Sequence, residues 1–255
     1  MGEILNNDTV ITLNNVSKVF SKNYKSARYQ LKNIFKESFL GCPEKSQLGK
    51  DEFWALNDIS FSIKRNEKVA ILGPNGSGKS TLLKMLNGIY LPSKGEIVID
   101  GNISSVLELS SGFKKELSGY ENIYLKFALL GKKREEVDEI IDDVIAFSEL
   151  EDFMETPLKH YSSGMKSKLG FAIVTTITPE ILILDEVFAA GDKRFRAKSE
   201  ARIKELYQNT TTILVTHSMS IVKDVADRVI ILKKGKKVFD GNVTEGIHFY
   251  NKLMG

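Results

Sequence analysis

The chain has 255 residues, 42% hydrophobic and 27% charged, which supports a sizeable core and excludes wholesale disorder. A net charge of +3 is too small to argue for a nucleic-acid partner, and the single cysteine, Cys42, excludes a disulfide framework within the chain. No apolar run has the length of a bilayer span, and Met1 to Asp8 lacks the charged and apolar regions of a secretion signal. Any work at a membrane is therefore expected from the cytosolic side through a partner, with no lipid-anchoring segment.

Val10 to Val16 alternates as a strand, and Ser17-Lys18-Val19-Phe20 follows it. Residues 21–53 change character. Lys22, Lys25, Arg28, Lys32 and Lys36 are spread among Tyr24, Leu31, Phe35 and Phe39. The last three fall at i, i+4 and i+8, one face of a helix with basic residues around it. Such a helix docks on a membrane surface or partner, or packs its apolar face on its own domain, and these residues alone leave both open. Gly41-Cys42-Pro43 ends it, and a polar link leads to Phe53-Trp54-Ala55-Leu56. Ile59 to Ile63 alternates as a strand, and Lys64 to Glu67 turns into the apolar run Val69-Ala70-Ile71-Leu72, which reads as a buried strand.

Gly73-Pro74-Asn75-Gly76-Ser77-Gly78-Lys79-Ser80-Thr81 comes next, and Leu82 to Leu86 has helical apolar spacing. Strand, glycine-rich loop and helix in that order are the context of a phosphate-binding loop. Glycines let consecutive backbone N–H groups turn inward around a phosphate, and the helix N-terminus adds partial positive charge. Lys79 then reaches the β- and γ-phosphates of a nucleoside triphosphate, and the Ser80 hydroxyl ligates Mg²⁺.

Gly95 to Asn102 reads as strand and turn, and Ile103 to Leu109 as a further short strand. From Ser110 to about Thr178 the pattern is helical, an inserted subdomain. Glu121–Leu130 is one predicted helix and Arg134–Phe147 a second, with Val137, Ile140, Ile141, Val144 and Ile145 on its apolar face. Ile181–Leu184 and Thr211–Val215 are short continuous apolar runs, as parallel strands buried on both faces require. Val229 to Phe239 is a hairpin with Lys-Gly-Lys at its turn, and a short terminal helix is expected after it. Strands alternating with helices predict an α/β fold around a mostly parallel sheet.

Asp185 and Glu186 close the strand 181–184. A carboxylate there holds the Mg²⁺ hydration shell, and a second orients or deprotonates the attacking water. Asp185 is assigned to the metal and Glu186 to catalysis. His217 follows the strand 211–215, where its imidazole is placed to contact the γ-phosphate.

Tyr161-Ser162-Ser163-Gly164-Met165, between the phosphate loop and Asp185-Glu186, resembles the signature motif of ATP-binding-cassette (ABC) ATPases, usually Leu-Ser-Gly-Gly-Gln. In this order, with His217 after it, the resemblance covers essentially the whole chain, read as a single cassette with a mostly parallel core and an antiparallel edge. It implies a head-to-tail homodimer with two ATP molecules sandwiched between the copies. Ser162, Ser163 and Gly164 of one copy would complete the site built on Lys79 of the other. Two departures stand out: Ser163 replaces a glycine and Met165 the glutamine. The family's loop glutamine, which senses Mg²⁺, has its nearest match in Glu108. Phe20 is the best positional match for the aromatic that stacks on adenine, with Trp54 in reserve. Ala189-Ala190-Gly191-Asp192 occupies the place of the loop that crosses the dimer interface.

The stretch 161–171 looks like the branch that exports O-antigen, capsular polysaccharide and teichoic acid. So do Ser111-Gly112-Phe113, Glu116 to Ile123, and Phe53-Trp54-Ala55-Leu56. In that branch residues 21–53 correspond to an insertion near the membrane partner, and some members carry a further C-terminal carbohydrate-binding domain, which is not expected here. The expected function is the ATPase subunit of a bacterial exporter of lipid-linked polysaccharide, peripheral on the cytoplasmic face of the plasma membrane. Its partners would be integral membrane permease subunits and no nucleic acid. The alternatives are an ABC ATPase for another exported substrate, or a soluble ABC ATPase outside transport.

Overall fold

Nine strands, eight α-helices and two short 3-10 helices occupy the described residues of the computed structural model, 8–22, 48–49, 51–105, 112–185 and 192–254. The chain divides into two compact units. The described residues within 1–64, 71–100 and 228–255 form one, and those within 65–70 and 101–227 the other.

In the first unit β1 (Thr9–Ser21) lies between β2 (Glu52–Lys64) and β4 (Lys94–Ile99) in an antiparallel sheet. Leu13 sits opposite Phe61 on one side and Ile97 on the other. Both long strands exceed the alternating runs that signal them, because a bulge resets the register in their middle. Asn15 and Asp58 adopt left-handed backbone there (φ 49° and 57°), which Asn and Asp tolerate, and the Asn15 amide donates to Asp58 Oδ1 at 2.8 Å. Beyond the bulge the strands continue to Phe20 opposite Phe53, and the Lys22 N–H donates to the Asp51 carbonyl at 2.8 Å. Those bonds join the two ends of the 21–53 insertion. The predicted basic helix at 21–39 lies, apart from Ser21 and Lys22, outside the described residues.

The same unit holds α1 (Lys79–Leu86) and the antiparallel hairpin β8 (Arg228–Lys233) and β9 (Lys236–Asn242). The hairpin turns through Lys234 and Gly235, both at positive φ. The terminal helix α8 (Val243–Met254) follows, with Phe249 stacked on Phe239 at 5.5 Å. Strand β3 (Lys68–Leu72) gives Ile71–Leu72 to this unit, where the strand order is β3-β8-β9, and Lys68–Ala70 to the other.

In the second unit the order is β5-β6-β7-β3. Strands β5 (Ile103–Ser105), β6 (Ile181–Asp185) and β7 (Thr211–Val215) are parallel, with Ile181 opposite both Ile103 and Thr211. Ile181 to Leu184 and Thr211 to Val215 are buried throughout, the two-sided burial that their unbroken apolar runs predict. Helices α2 (Gly119–Leu129), α3 (Arg134–Asp138), α4 (Ile141–Ser148), α5 (Ser163–Thr176), α6 (Lys193–Gln208) and α7 (Met219–Val225) complete it. Phe127, Phe171 and Phe195 are fully buried in its core, and burying a side chain of that size is worth about 3 kcal/mol. Helix α2 starts at a capping box, in which Ser118 Oγ accepts from the Glu121 N–H and the Glu121 carboxylate accepts from the Ser118 N–H. The single predicted helix 134–147 is instead two, α3 and α4. Glu135–Glu139, Asp138–Asp142 and Glu139–Asp143 are like-charged i,i+4 pairs that a continuous helix would align. The chain breaks at Ile140 and still buries Val137, Ile141 and Val144.

Candidate nucleotide site

The apolar strand β3 ends at Leu72, and the loop 73–78 delivers the chain into α1. Two glycines are imposed by close approach. At Gly73 (φ 155°) a Cβ would fall 2.3 Å from the Leu232 carbonyl oxygen and 2.5 Å from Ser77 Oγ. At Gly78 (φ 110°) it would fall 2.6 Å from Leu56 Cδ2 and 2.7 Å from the Ala55 carbonyl oxygen. The loop is braced from the hairpin turn, where the Gly235 N–H donates to the Ser77 carbonyl at 2.9 Å and the Asn57 N–H to the Gly235 carbonyl at 2.7 Å. Sequence reading misses this brace, because the apolar runs that announce β2 and the hairpin do not say which loop their ends support.

The donor set fits a polyphosphate. The Lys79 ammonium is folded onto its own loop, donating to the Gly73 carbonyl at 2.6 Å and the Pro74 carbonyl at 3.3 Å. Ser77 Oγ is buried and has no hydrogen-bond partner among the described residues. Helix α1 has glycine at its N-cap, no side chain capping it among the described residues, and no acidic residue in its first turn. Its leading N–H groups therefore present uncompensated positive charge beside a lysine, which is an anion site. Ser80 and Thr81 are in the first turn of the same helix, and Pro74, Asn75 and Gly76 form the crest of the loop.

Phe20 is close to the end of β1, opposite Phe53. Its ring packs edge-on against Tyr90 at 5.4 Å and is tilted against Phe53 at 6.3 Å, with the Lys18 ammonium 5.5 Å from its centroid. Trp54 is opposite Val19 and half-buried.

The other predicted groups belong to the second unit. Asp185 is the last residue of β6, opposite Val215 of β7. His217 is exposed, two residues past the end of β7, where Thr216 Oγ1 accepts from the Ser218 N–H at 3.0 Å. Glu186, Glu108 and Ala189 to Gly191 lie outside the described residues.

Ser162 is the N-cap of α5, its Oγ accepting from the Met165 N–H at 3.1 Å, and Ser163 and Gly164 form the first helical turn. Ser162 and Ser163 are exposed, while Tyr161 is buried and donates to the Phe153 carbonyl at 2.7 Å. Burial pushes the Tyr161 phenol up to about 12, so it stays a neutral donor. The two departures from the usual signature have simple local consequences. Ser163 has right-handed helical backbone, so that position does not require glycine. Met165 packs against the apolar core of the unit.

A strand, a glycine-braced phosphate loop and an uncapped helix, with a serine-capped helix and a strand-end aspartate in an α/β framework, define a P-loop nucleotide-binding protein of the ATP-binding-cassette class. The ABC transporter family profile matches residues 56–189, half of the chain, and the chain belongs to that family as an ATPase. It is 43% identical over 204 residues to the O-antigen export system ATP-binding protein RfbB of Klebsiella pneumoniae, covering 80% of this chain and 83% of that one. It is 36% identical over 245 residues to the teichoic acids export ATP-binding protein TagH of Listeria innocua, covering 96% and 70%. Its fold is similar to that of a dimeric ATP-binding cassette in a post-hydrolysis state bound to ADP and Pi (TM-score 0.67, 24% identity, 91% of this chain and 98% of that one).

Proposed function

We propose that this chain is the ATP-hydrolysing subunit of an exporter that moves a lipid-linked cell-surface polysaccharide, of the O-antigen or teichoic-acid type, across the bacterial cytoplasmic membrane. The observation that carries the substrate class is its likeness to the two polysaccharide-export relatives, over most of its own length and theirs. The anion site built on Lys79, Ser77 and the start of α1 supports the ATPase half of the reading.

In this reading loop 73–81 holds the phosphates, and Phe20 or Trp54 stacks on adenine. Ser80, Asp185 and Glu108 hold Mg²⁺, which supplies charge neutralisation at the phosphates. Glu186 orients the attacking water and His217 contacts the γ-phosphate. Two copies face head to tail, with Ser162, Ser163 and Gly164 of each closing the other's site. Among the described residues no helix is long and apolar enough to cross a membrane. The polymer path is therefore assigned to integral membrane permease subunits, with this chain peripheral on the cytoplasmic face and residues 21–53 docking on them.

The test is a mild-detergent purification of the tagged chain from its native membranes. An integral membrane protein co-purifying with it, and lost when residues 22–39 are deleted, is the expected result. Recovery of the chain alone, or with nucleic acid, overturns the export reading.

A further inference from the structure

Lys168, Glu149, Asp192 and Lys198 form a charged network in the second unit, and the roles above do not account for its ion pairs. Lys168 is on α5, six residues after the N-cap Ser162, which places it about 9 Å along the helix from the signature turn. Its ammonium is within 3.1 Å of Glu149 Oε2 and 3.1 Å of Asp192 Oδ2. Glu149 is the C-cap of α4, in left-handed backbone. Asp192 is the N-cap of α6, its other oxygen accepting from the Phe195 N–H at 2.9 Å. The lysine therefore ties together the end of one helix, the body of the signature helix and the start of a third.

The attachment is stiff because it is layered on aromatic rings. The Lys168 ammonium is 4.9 Å from the centroid of Phe195, which is fully buried. Phe195 packs edge-on against Phe147 at 5.7 Å and Phe171 at 6.0 Å. Lys198 reinforces the corner, reaching Glu149 at 3.7 Å and donating to the Ala146 and Phe147 carbonyls at the end of α4. Burial pushes the Lys168 ammonium down, but the two carboxylates more than offset it and leave it above its ordinary value, so the charge persists. The Lys168 side chain is 15% exposed and that of Glu149 29%, so this pair is partly shielded from solvent, while the Asp192 carboxylate is 61% exposed and its pair with Lys168 is screened more.

A staple for stability could sit anywhere on this unit. This one ties the signature helix to the start of α6. Asp192, the N-cap of α6, follows Glu186 by six residues in sequence. We infer that Lys168 is a positioning residue for hydrolysis, which fixes the start of α6, six residues after Glu186 in sequence, to the signature helix. The inference rests on the proposed roles of Glu186 and the signature. It predicts an effect on turnover rather than on nucleotide capture, because the phosphate loop belongs to the other unit.

The test is steady-state ATPase kinetics of the full chain with Mg²⁺, beside equilibrium titration with a fluorescent ATP analogue and thermal melting. Lys168→Met is expected to lower kcat about tenfold, a loss typical of modest misplacement of catalytic groups, and to leave the titration unchanged. Lys168→Arg, which keeps both carboxylates in reach, should restore most of the rate. Asp192→Asn keeps the cap on Phe195 but loses the charge. It should match Lys168→Met in kcat, and the double variant should be no slower than either single one. Unchanged kcat for Lys168→Met, no rescue by arginine, or multiplicative losses in the double variant overturns the inference. A loss of rate matched by a collapse in melting temperature for both Lys168→Met and Asp192→Asn also overturns it. Glu186→Gln measured alongside separates the two readings. If it leaves turnover unchanged, the catalytic assignment fails. If it slows turnover while Lys168→Met does not, only the inference fails.

Discussion

Glycine occurs in both candidate phosphate-contacting segments, for different reasons, and the difference can be measured. Gly78 has φ 110° and no room for a Cβ against Ala55 and Leu56. Gly164 has helical backbone, and a Cβ there would meet only Ser162 Oγ at 3.7 Å, an ordinary contact. Gly78→Ala must therefore shift backbone or Leu56, at a cost of about 2 kcal/mol, which lowers the melting temperature by about 5 °C in a chain of this size. Gly164→Ala should melt at the parent temperature or slightly above it, since its Cβ has room and alanine favours helix over glycine. Differential scanning calorimetry of the two variants decides this. Equal melting temperatures would mean that the phosphate loop is not braced by β2 as described.

At the scale of elements, an ionic corner joins the hairpin to the antiparallel sheet. Arg228 donates from Nε to Asp240 Oδ1 at 2.6 Å and from Nη2 to Oδ2 at 2.9 Å, and its Nη1 reaches the Ser62 carbonyl in β2 at 3.0 Å. Lys237 adds a second cation to Asp240 at 2.8 Å. Burial pushes the Asp240 carboxyl up, but hydrogen bonds from Arg228 and Lys237 outweigh it and hold the group below the usual carboxylate range. A carboxyl whose folded value is depressed stabilises the fold above its unfolded value, and that gain is lost as pH falls through the folded one. Asp240→Asn should thus cost about 1 kcal/mol at pH 7, and the gap from wild type should close as pH falls below about 4. Melting curves across that range check it, and a gap that persists unchanged into acid would show that the carboxylate charge is not what the corner uses.

The elements most legible in the sequence are those whose signal is local. Val69–Leu72 followed by the glycine loop, the two buried parallel strands, and the hairpin with its Lys-Gly turn each carry period and turn chemistry within a dozen residues, and each has its expected place in the fold. Strand length was less legible, because the bulge at Asn15 and Asp58 is a pairing between residues 43 apart in sequence. The cap of α2 was available in Ser118-x-x-Glu121 but is absent from an apolar-periodicity reading. In the candidate site, the strand, glycine turn and helix that carry residues 73–81 could be read from spacing alone. The brace from Gly235 and the Lys168 network could not, since each depends on which helix ends and turns the tertiary fold brings into contact.

For the whole molecule, the decisive feature is that the groups proposed for one reaction are spread over both units and, in the dimer reading, over two copies. Lys79 and Ser80 belong to one unit, and Asp185, His217 and the exposed signature turn at Ser162 and Ser163 to the other. Donors at the start of α5 are exposed on the protein surface, where a phosphate held elsewhere can meet them. If hydrolysis is what separates the copies, a chain that binds ATP and cannot turn it over should accumulate as the dimer. Glu186→Gln removes the proposed base while keeping the size and polarity of the side chain, so binding should persist as turnover falls by a factor of about 100 or more. Size-exclusion chromatography with light scattering, run with and without ATP and Mg²⁺, should then show the variant moving from about 29 kDa to about twice that mass only with nucleotide. The wild-type chain under the same conditions should return to monomer as ATP is consumed. A variant that stays monomeric with ATP and hydrolyses it at the parent rate would sink both the assignment of Glu186 and the shared-site dimer.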